Sequence, residues 1–577
     1  MSPTKSLPIA VLVALVCLVV IAVASNETPA DQSPAQMIPA SSPMATWHVS
    51  ITGNDLTGTG TSGNPFRTIT RAVTAAASHD RILIGAGTYN EHVNVYAKDL
   101  TFESQNPASP AQIYSDTSVA FSAMESPGIM LYNLRLHGEV NPAFSTSGGG
   151  ARLYNSIATF RRCVIDDCMA TAYGGGIYAY NARVIVDSCE IRNNQARWNF
   201  GNGGGLTNMG GGICIDGDYS TISNSIITGN YCGEEEGYGG GIALIGEHFV
   251  VRNCVIDSNT AEAIYDGVST GYETRGGGLY IQGDTNSVYG NEIFGNQARS
   301  ISKGTGARSF AGGAYIFGKR NEFYDNRVDD NEAYSEFYEN VSEPYIESAG
   351  GGVYLKGTTV TNNTFDDNSA ISRGRLNSPT FYCYATTVAV GGGGKFDSCD
   401  IRYNTFTYNE VSAYFEISAT CNPLCMTQCE RALVGGAGAT EELSTDDCNI
   451  VYGNSGATQW TGYLPGDIFY VDPLYCNRLN RNFYVSTISP ALPGNNSCGV
   501  LIGSRVDGCL PLVSGDANGD GAINLADAVF VINYVFKGGP APVPYEAGDA
   551  NCSAAVDLAD AVFLINYIFK GGPEPGC

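Results

Sequence analysis

Between residues 148 and 454 the apolar positions recur in one fixed order. A glycine pair or triplet begins at Gly148, Gly174, Gly210, Gly239, Gly276, Gly312, Gly350, Gly391 and Gly435. An apolar residue follows at once, as at Ile177, Ile213, Ile242, Leu279 and Val353. A second comes later (Val186, Ile222, Val251, Val288), then a third (Ile191, Ile227, Ile256, Ile293). Three residues after the third stands Asn194, Asn230, Asn259, Asn296, Asn331, Asn368, Asn409 or Asn454, with Cys168 in the first copy. Short runs with one apolar face describe strands. One such unit cannot bury its inward side chains, but units stacked about 4.8 Å apart by parallel pairing can. The pattern predicts an all-β fold, a single-stranded right-handed parallel β-helix solenoid over residues 46–510, with roughly ten coils.

Glycine suits a bend where no side chain fits. An asparagine ladder suits a tight turn, since Asn tolerates left-handed backbone and its amide bonds along the stack. The slot two residues before the third apolar position holds Cys163, Cys189, Ser225, Cys254 and Asn291 among others, a stack of small side chains. Cys163 and Cys189 fall in adjacent coils, and both a bridge and two free thiols are compatible with that spacing. Before the solenoid, Trp47–Ile51 alternate like a strand. Ile69, Val73 and Ala76 share a face of a helix expected within 67–80, and "RILIGAGTY" returns to a strand. These elements should cap the stack.

The stretch from each ladder Asn to the next glycine varies in length and is expected to be a loop. All such loops leave from one corner, where binding groups tend to sit. They carry Trp198, Tyr265, Tyr334 and Tyr345 together with Arg197, Arg275 and Arg299. On the strand after the glycines, Tyr280, Tyr315 and Tyr354 alternate with inward residues in three successive coils. With Arg275 they are the candidate glycan-binding groups, a flat aromatic row parallel to the solenoid axis. The competing reading is that these rings pack beneath the loops. Asp166-Asp167, Asp329-Asp330 and Asp366-Asp367 are paired carboxylates of the kind glycoside hydrolysis uses, but they recur at one turn, as solvated turn residues would. No residue is assigned a catalytic role.

The chain ends in "GDANGDGAINLADAVFVINYVFKGG" and, 33 residues later, "GDANCSAAVDLADAVFLINYIFKGG". Asp516, Asn518, Asp520, Asn524 and Asp527 occupy positions 1, 3, 5, 9 and 12 of a twelve-residue loop. Ala522 offers its carbonyl at position 7, and Gly521 supplies the turn at position 6. Calcium takes this number of oxygens at this spacing. In the second copy Asp549, Asn551, Ala555, Asp557 and Asp560 keep positions 1, 3, 7, 9 and 12, but Ser553 replaces the acid at 5 and Ala554 the glycine at 6. The second site should bind Ca²⁺ more weakly. A helix follows each loop; in the first, Val529, Ile532 and Phe536 share a face.

Charge and cysteine content set the setting. The net charge of −26 excludes a basic nucleic-acid footprint and disfavours unaided binding of a polyanion. Residues 1–24 read as an export signal with a small-residue cleavage site, and residues 25–45 as a disordered Pro/Ser/Ala-rich linker. The 18 cysteines agree with a secreted, extracellular or cell-surface location. Cys421, Cys425 and Cys429 are read as local disulfides rather than a zinc site.

Two resemblances follow from these residues. The repeats, the "WHVSITGND" opening and the closing "IFYVDPLYCNRLNRNFYVSTISPAL" resemble secreted β-helix proteins of the pectin-lyase-like superfamily. That resemblance implies the fold and, among many activities, action on polysaccharides. The Gly-His-Gly and Arg-x-Lys elements of its pectinolytic hydrolases are missing here. The paired loops, 514–577, resemble a type I dockerin, which implies Ca²⁺ and a cohesin-like partner. Leu525-Ala526 and Leu558-Ala559 stand where dockerins often carry hydroxyl residues for partner choice. The combined expectation is a secreted carbohydrate-binding or polysaccharide-degrading protein, a lyase or glycosidase if catalytic. The alternative is a non-catalytic adhesion or structural protein.

Overall fold

The computed structural model describes residues 45–577 except 140–146, 198–206, 235, 266–271, 304–305, 339–344, 377–382, 418–426, 435, 437, 441–444, 457, 462–467, 479–480, 507, 509–513, 519–521, 538, 540, 543–544, 554 and 577. The export signal and residues 25–44 of the linker lie outside the described residues, as do Trp198, Cys421, Cys425, Asp520, Gly521 and Ala554. Among the described residues no helix is long and apolar enough to cross a membrane.

Nearly every strand pairs in parallel with its equivalents one coil before and after. Ile177–Tyr180 pairs with Ala151–Tyr154 and Ile213–Asp216; Arg183–Asp187 pairs with Ile157–Arg161 and Thr221–Ser223. These two columns merge into one 23-stranded sheet, because Ala314–Tyr324 and Val353–Thr361 run through both. A 13-stranded sheet forms the next wall. The chain is a parallel β-helix, and the thirteen rungs among the described residues exceed the roughly ten coils expected over 46–510. The additional rungs, beginning at Thr88–Asn90, Ala111–Ser115 and Leu134–Gly138, precede the glycine series. The inward column Ile191, Ile227, Ile256, Ile293 and Val328 is fully buried, as the periodicity requires. The cap helix is Ile69–Ala75, with Thr68 as N-cap and Ile69, Ala72 and Val73 buried.

The asparagine ladder runs unbroken. Each Nδ2 donates to the next Oδ1 at 2.9 Å from Asn194 through Asn230, Asn259, Asn296, Asn331, Asn368 and Asn409 to Asn454. The turn itself is made differently from the expectation. The left-handed residue is the one before each ladder Asn, such as Asn193, Ser258 or Asp330, at φ 54°, 55° and 56°. The ladder amide is thereby free to point inward. A second ladder, Asn291 to Asn449, lines the other edge of the same wall. Cys163 and Cys189 sit in that stack as buried free thiols, with Cys163 N–H donating to Cys189 Sγ at 3.4 Å. The glycines fit their assigned bend: a Cβ on Gly211 would lie 2.3 Å from Gly240 O.

The expected loops are largely strands. Beyond the Asn corner an 8-stranded and a 7-stranded parallel sheet leave the solenoid and pack on each other as a fin. Their strands lengthen along the axis, from Gln195–Arg197 to Ser369–Leu376 in one sheet and from Thr207–Met209 to Cys383–Val390 in the other. The fin interior is Ala and Ser, including Ala298, Ser300, Ala333 and Ala370, all buried. Hydroxyls cross between the sheets: Ser309 Oγ donates to Tyr334 O (2.6 Å), Ser335 Oγ to Glu347 O (2.8 Å), Ser348 Oγ to Ile371 O (2.6 Å) and Ser372 Oγ to Val388 O (2.6 Å). A serine reaches the opposite main chain only if the sheets approach closer than the ordinary ~10 Å. These small residues have weak strand propensity, which hides the alternation.

Candidate functional site

Tyr280, Tyr315 and Tyr354 point away from the solenoid core, as expected, and stack with ring centroids 5.6 and 4.9 Å apart. The fin covers them. Tyr280 is 1% exposed and Tyr315 6%. Arg275, on the fin, lies over Tyr238 and Tyr315 at 5.0 and 5.3 Å and pairs with Glu273. Tyr280 Oη donates to Gln282 Oε1 at 2.8 Å. Tyr280 and Tyr315 are packing between fin and wall and present no face to a glycan, while Tyr354 is half-buried. The buried Cys214 and Ala243, on the two rungs before Tyr280, belong to the same cluster.

The paired carboxylates are equally engaged. A strap after the last rungs lies over the 13-stranded wall. Its Arg478 pairs with Asp366 (2.9 Å) and Asp367 (3.6 Å), and Arg481 with Asp329 (3.1 Å) and Asp330 (3.3 Å). Arg505 reaches Glu292 at 3.1 Å, and Tyr475 Oη donates to Thr405 Oγ1 at 2.9 Å. Burial pushes Asp366 up to about 6 despite Arg478. Asp166 is held by Arg135 at 2.7 Å and Arg192 at 3.0 Å, from the coils on either side. The strap is held by Cys448–Cys498, and Cys476 is disulfide-bonded too. Arg478, Arg481 and Arg505 were not singled out in the sequence, because their partners lie more than a hundred residues away and no local pattern joins them.

At the C-terminus two helices, Leu525–Lys537 and Leu558–Lys570, each follow an acidic loop. Ala528, Val531, Ala561 and Leu564 are buried where they pack together. The two loops are fixed in the same way. The position-12 carboxylate Asp527 accepts from Asn518 N (3.0 Å) and Asn524 N (2.8 Å); Asp560 accepts from Asn551 N (3.1 Å) and Asp557 N (2.8 Å). Both carboxylates are fully buried. Position 9 also caps each helix, Asn524 Oδ1 accepting from Ala526 N and Asp557 Oδ1 from Ala559 N. Residues 514–569 match the family described as Dockerin type I domain. The C-terminal module is a type I dockerin.

Residues 51–95, in the cap, match a family described only as a protein of unknown function, DUF1565. No curated protein matches the chain. Among solved structures it is similar to the Dettilon tailspike protein (13% identity, 74% of this chain and 69% of that one, TM-score 0.31). It is also similar to a pectate lyase (13%, 66% and 78%, TM-score 0.29) and to a lacto-N-biosidase from Eubacterium ramulus (10%, 74% and 68%, TM-score 0.27). Similarity at these TM-scores carries no assignment of activity.

The dockerin loops fit calcium on their own geometry. Asn551 Oδ1, at position 3, is a buried acceptor with no hydrogen-bond partner. Burial raises the Asp560 pKa, and the charges of Asp549 and Asp557 add to the rise. An orphaned oxygen near mutually repelling carboxylates is what a cation relieves. Among the described residues no three His, Cys, Asp or Glu converge as a metal cluster; the loops rely as well on amide and main-chain oxygens, as calcium loops do. In the second loop Ser553 N donates to Asp549 Oδ1 (2.8 Å) and Ser553 Oγ to Ala555 O (3.1 Å). Of these two bonds only the second comes from the serine side chain, which ties up the position-7 carbonyl that calcium would use. In the first loop Ala522 O accepts from Asn524 Nδ2 at 2.9 Å.

The helix face with Val529 and Phe536 turns outward. Phe536 is 61% exposed and its equivalent Phe569 63%; Leu525, Val529, Leu558 and Val562 are exposed beside them. Each helix therefore carries one buried and one bare apolar stripe, duplicated 33 residues apart.

Proposed function

We propose that this is an exported β-helix protein that binds extracellular glycans and is attached to a cohesin-type partner through its dockerin, with Ca²⁺ bound by the two loops. The observation that carries the attachment is the duplicated bare stripe Leu525, Val529, Phe536 and Leu558, Val562, Phe569. Exposed apolar rows on paired helices mark a protein-docking surface. Asp516, Asn518, Asp520, Ala522, Asn524 and Asp527 would hold the first ion; Asp549, Asn551, Ser553, Ala555, Asp557 and Asp560 the second. Bound calcium would neutralise the loop carboxylates and fix each loop against its helix.

For the β-helix, binding is favoured over catalysis by one observation. The acidic pairs that would suit glycoside hydrolysis are occupied by Arg135, Arg192, Arg478 and Arg481 as structural partners. A non-catalytic surface or adhesion protein is the second reading on the same ground. Affinity electrophoresis of the full chain through gels containing a panel of polysaccharides separates them. Retardation without loss of polymer length supports glycan binding. Polymer cleavage would make it an enzyme. No retardation in any gel would leave the adhesion reading.

A further inference from the structure

The outward rows of the first coils begin ahead of the fin, whose two sheets start at Met169–Ala170 and Thr207–Met209; at the far end Tyr178 already stacks on Tyr173. In register across four rungs, one outward row reads Tyr96, Met124, Tyr154 and Tyr180, and the row beside it Asn94, Ser122, Arg152 and Tyr178. Tyr96 is 63% exposed and Tyr180 48%. Tyr154 lies edge-on to Tyr178 at 5.9 Å and tilted to Tyr180 at 6.3 Å. With rungs about 4.8 Å apart, the row extends roughly 14 Å, enough for a short saccharide segment rather than one ring.

Arg152 is the unusual group on this face. Its Nε donates to Ser147 O at 2.6 Å, and it pairs with no carboxylate among the described residues. Burial pushes its pKa down, whereas Arg135, Arg192 and Arg478 are raised by their carboxylate partners. In a chain of net charge −26, a half-buried guanidinium left without an acid is conspicuous. Guanidinium favours oxyanions that present two oxygens side by side, through paired N–H donors. Nearby polar groups are neutral: Ser122 Oγ donates to Asn94 Oδ1 at 2.9 Å and contacts His92 Nε2 at 2.8 Å. Burial, with Arg152's charge, lowers the His92 pKa.

We propose that Arg152, Tyr96, Tyr154 and Tyr180 form a subsite for an acidic sugar carried on an otherwise neutral glycan. The sugar's carboxylate or sulfate pairs with Arg152 while neighbouring rings lie on the tyrosines. The acidity of the whole chain sets the limit: one cation offsets one anionic sugar, and a polyuronate would be repelled beyond it. This rests on the glycan-binding reading above and deepens it.

The test is a polysaccharide array, each polymer printed in native, carboxyl-reduced and desulfated form, probed with the full chain and with Arg152→Gln, Arg152→Lys and Tyr180→Ala. The wild type should prefer acid-decorated neutral polymers to polygalacturonate. Carboxyl reduction or desulfation, whichever removes the recognised group, and Arg152→Gln should each weaken binding roughly 10- to 100-fold, the worth of a charge-assisted hydrogen bond. Arg152→Lys should retain part of it. Tyr180→Ala, at an exposed position that leaves the fold intact, should weaken native and reduced forms alike. Thermal melts of each variant report folding separately. If the wild type is retained but neither Arg152→Gln nor removal of the acid matters, the subsite is wrong and the glycan reading stands. If no polymer is retained by the wild type, both fall.

Discussion

Ile256→Asp should leave the β-helix unfolded at 37 °C. Ile256 is fully buried on Val255–Asp257, stacked in register between Ile227 and Ile293. Its carbonyl accepts from Asn296 Nδ2 at 2.8 Å, so the same residue anchors the asparagine ladder. An aspartate there has isoleucine above and below and no donor to satisfy it. Burying an unpaired ionised group costs several kcal/mol, comparable with the whole stability of an ordinary domain, about 5–15 kcal/mol. Because each rung contacts only its neighbours, the break falls mid-stack and interrupts propagation from both sides. Urea unfolding followed by far-ultraviolet circular dichroism checks it. Ile256→Val, which removes one methylene, should cost only about 0.5–1.5 kcal/mol. A native-like melt for the aspartate variant would mean that the column is not a packed core.

The second large effect is calcium dependence in the dockerin. Calorimetric titration of the full chain should resolve one tight and one weak Ca²⁺ site. Asp516→Ala should weaken the tight event roughly 10- to 100-fold, since affinity follows ligand charge and geometry. Asp549→Ala should touch only the weak one. Ser553→Asp restores an acid at position 5 and frees the hydroxyl bond to Ala555 O, so it should draw the two affinities together. Chelation should lower the melting temperature of the dockerin and leave the β-helix transition in place. Two equal sites in the wild type would contradict the account of the second loop.

Much of the architecture was legible because the repeats are strict. Fixed apolar slots predict a stacked core, and Asn at a fixed offset predicts its ladder. The dockerin loops were legible because calcium demands oxygens at set spacings. The fin was not. Ala-x-Ser alternation in "QARSIS" and "EAYSEF" resembles a polar loop, and only the second sheet lying against it gives those small residues a reason. The same omission hid the fate of the tyrosine row: Tyr280 and Tyr315 do point outward, but into the fin. Arg152 has no local signature, since its lack of an acidic partner is a property of the assembled coils. The strap arginines Arg478 and Arg481 escaped notice for a related reason: the acids they neutralise are set out by the turn geometry of distant coils.

The most direct test of the attachment is capture of the full chain on a panel of immobilised type I cohesin modules, in calcium and again in chelator. The account predicts binding to at least one module in calcium and its loss on chelation, with Phe536→Asp and Phe569→Asp together abolishing capture. Absence of calcium-dependent binding to every module, or capture that persists unchanged in chelator, would contradict it.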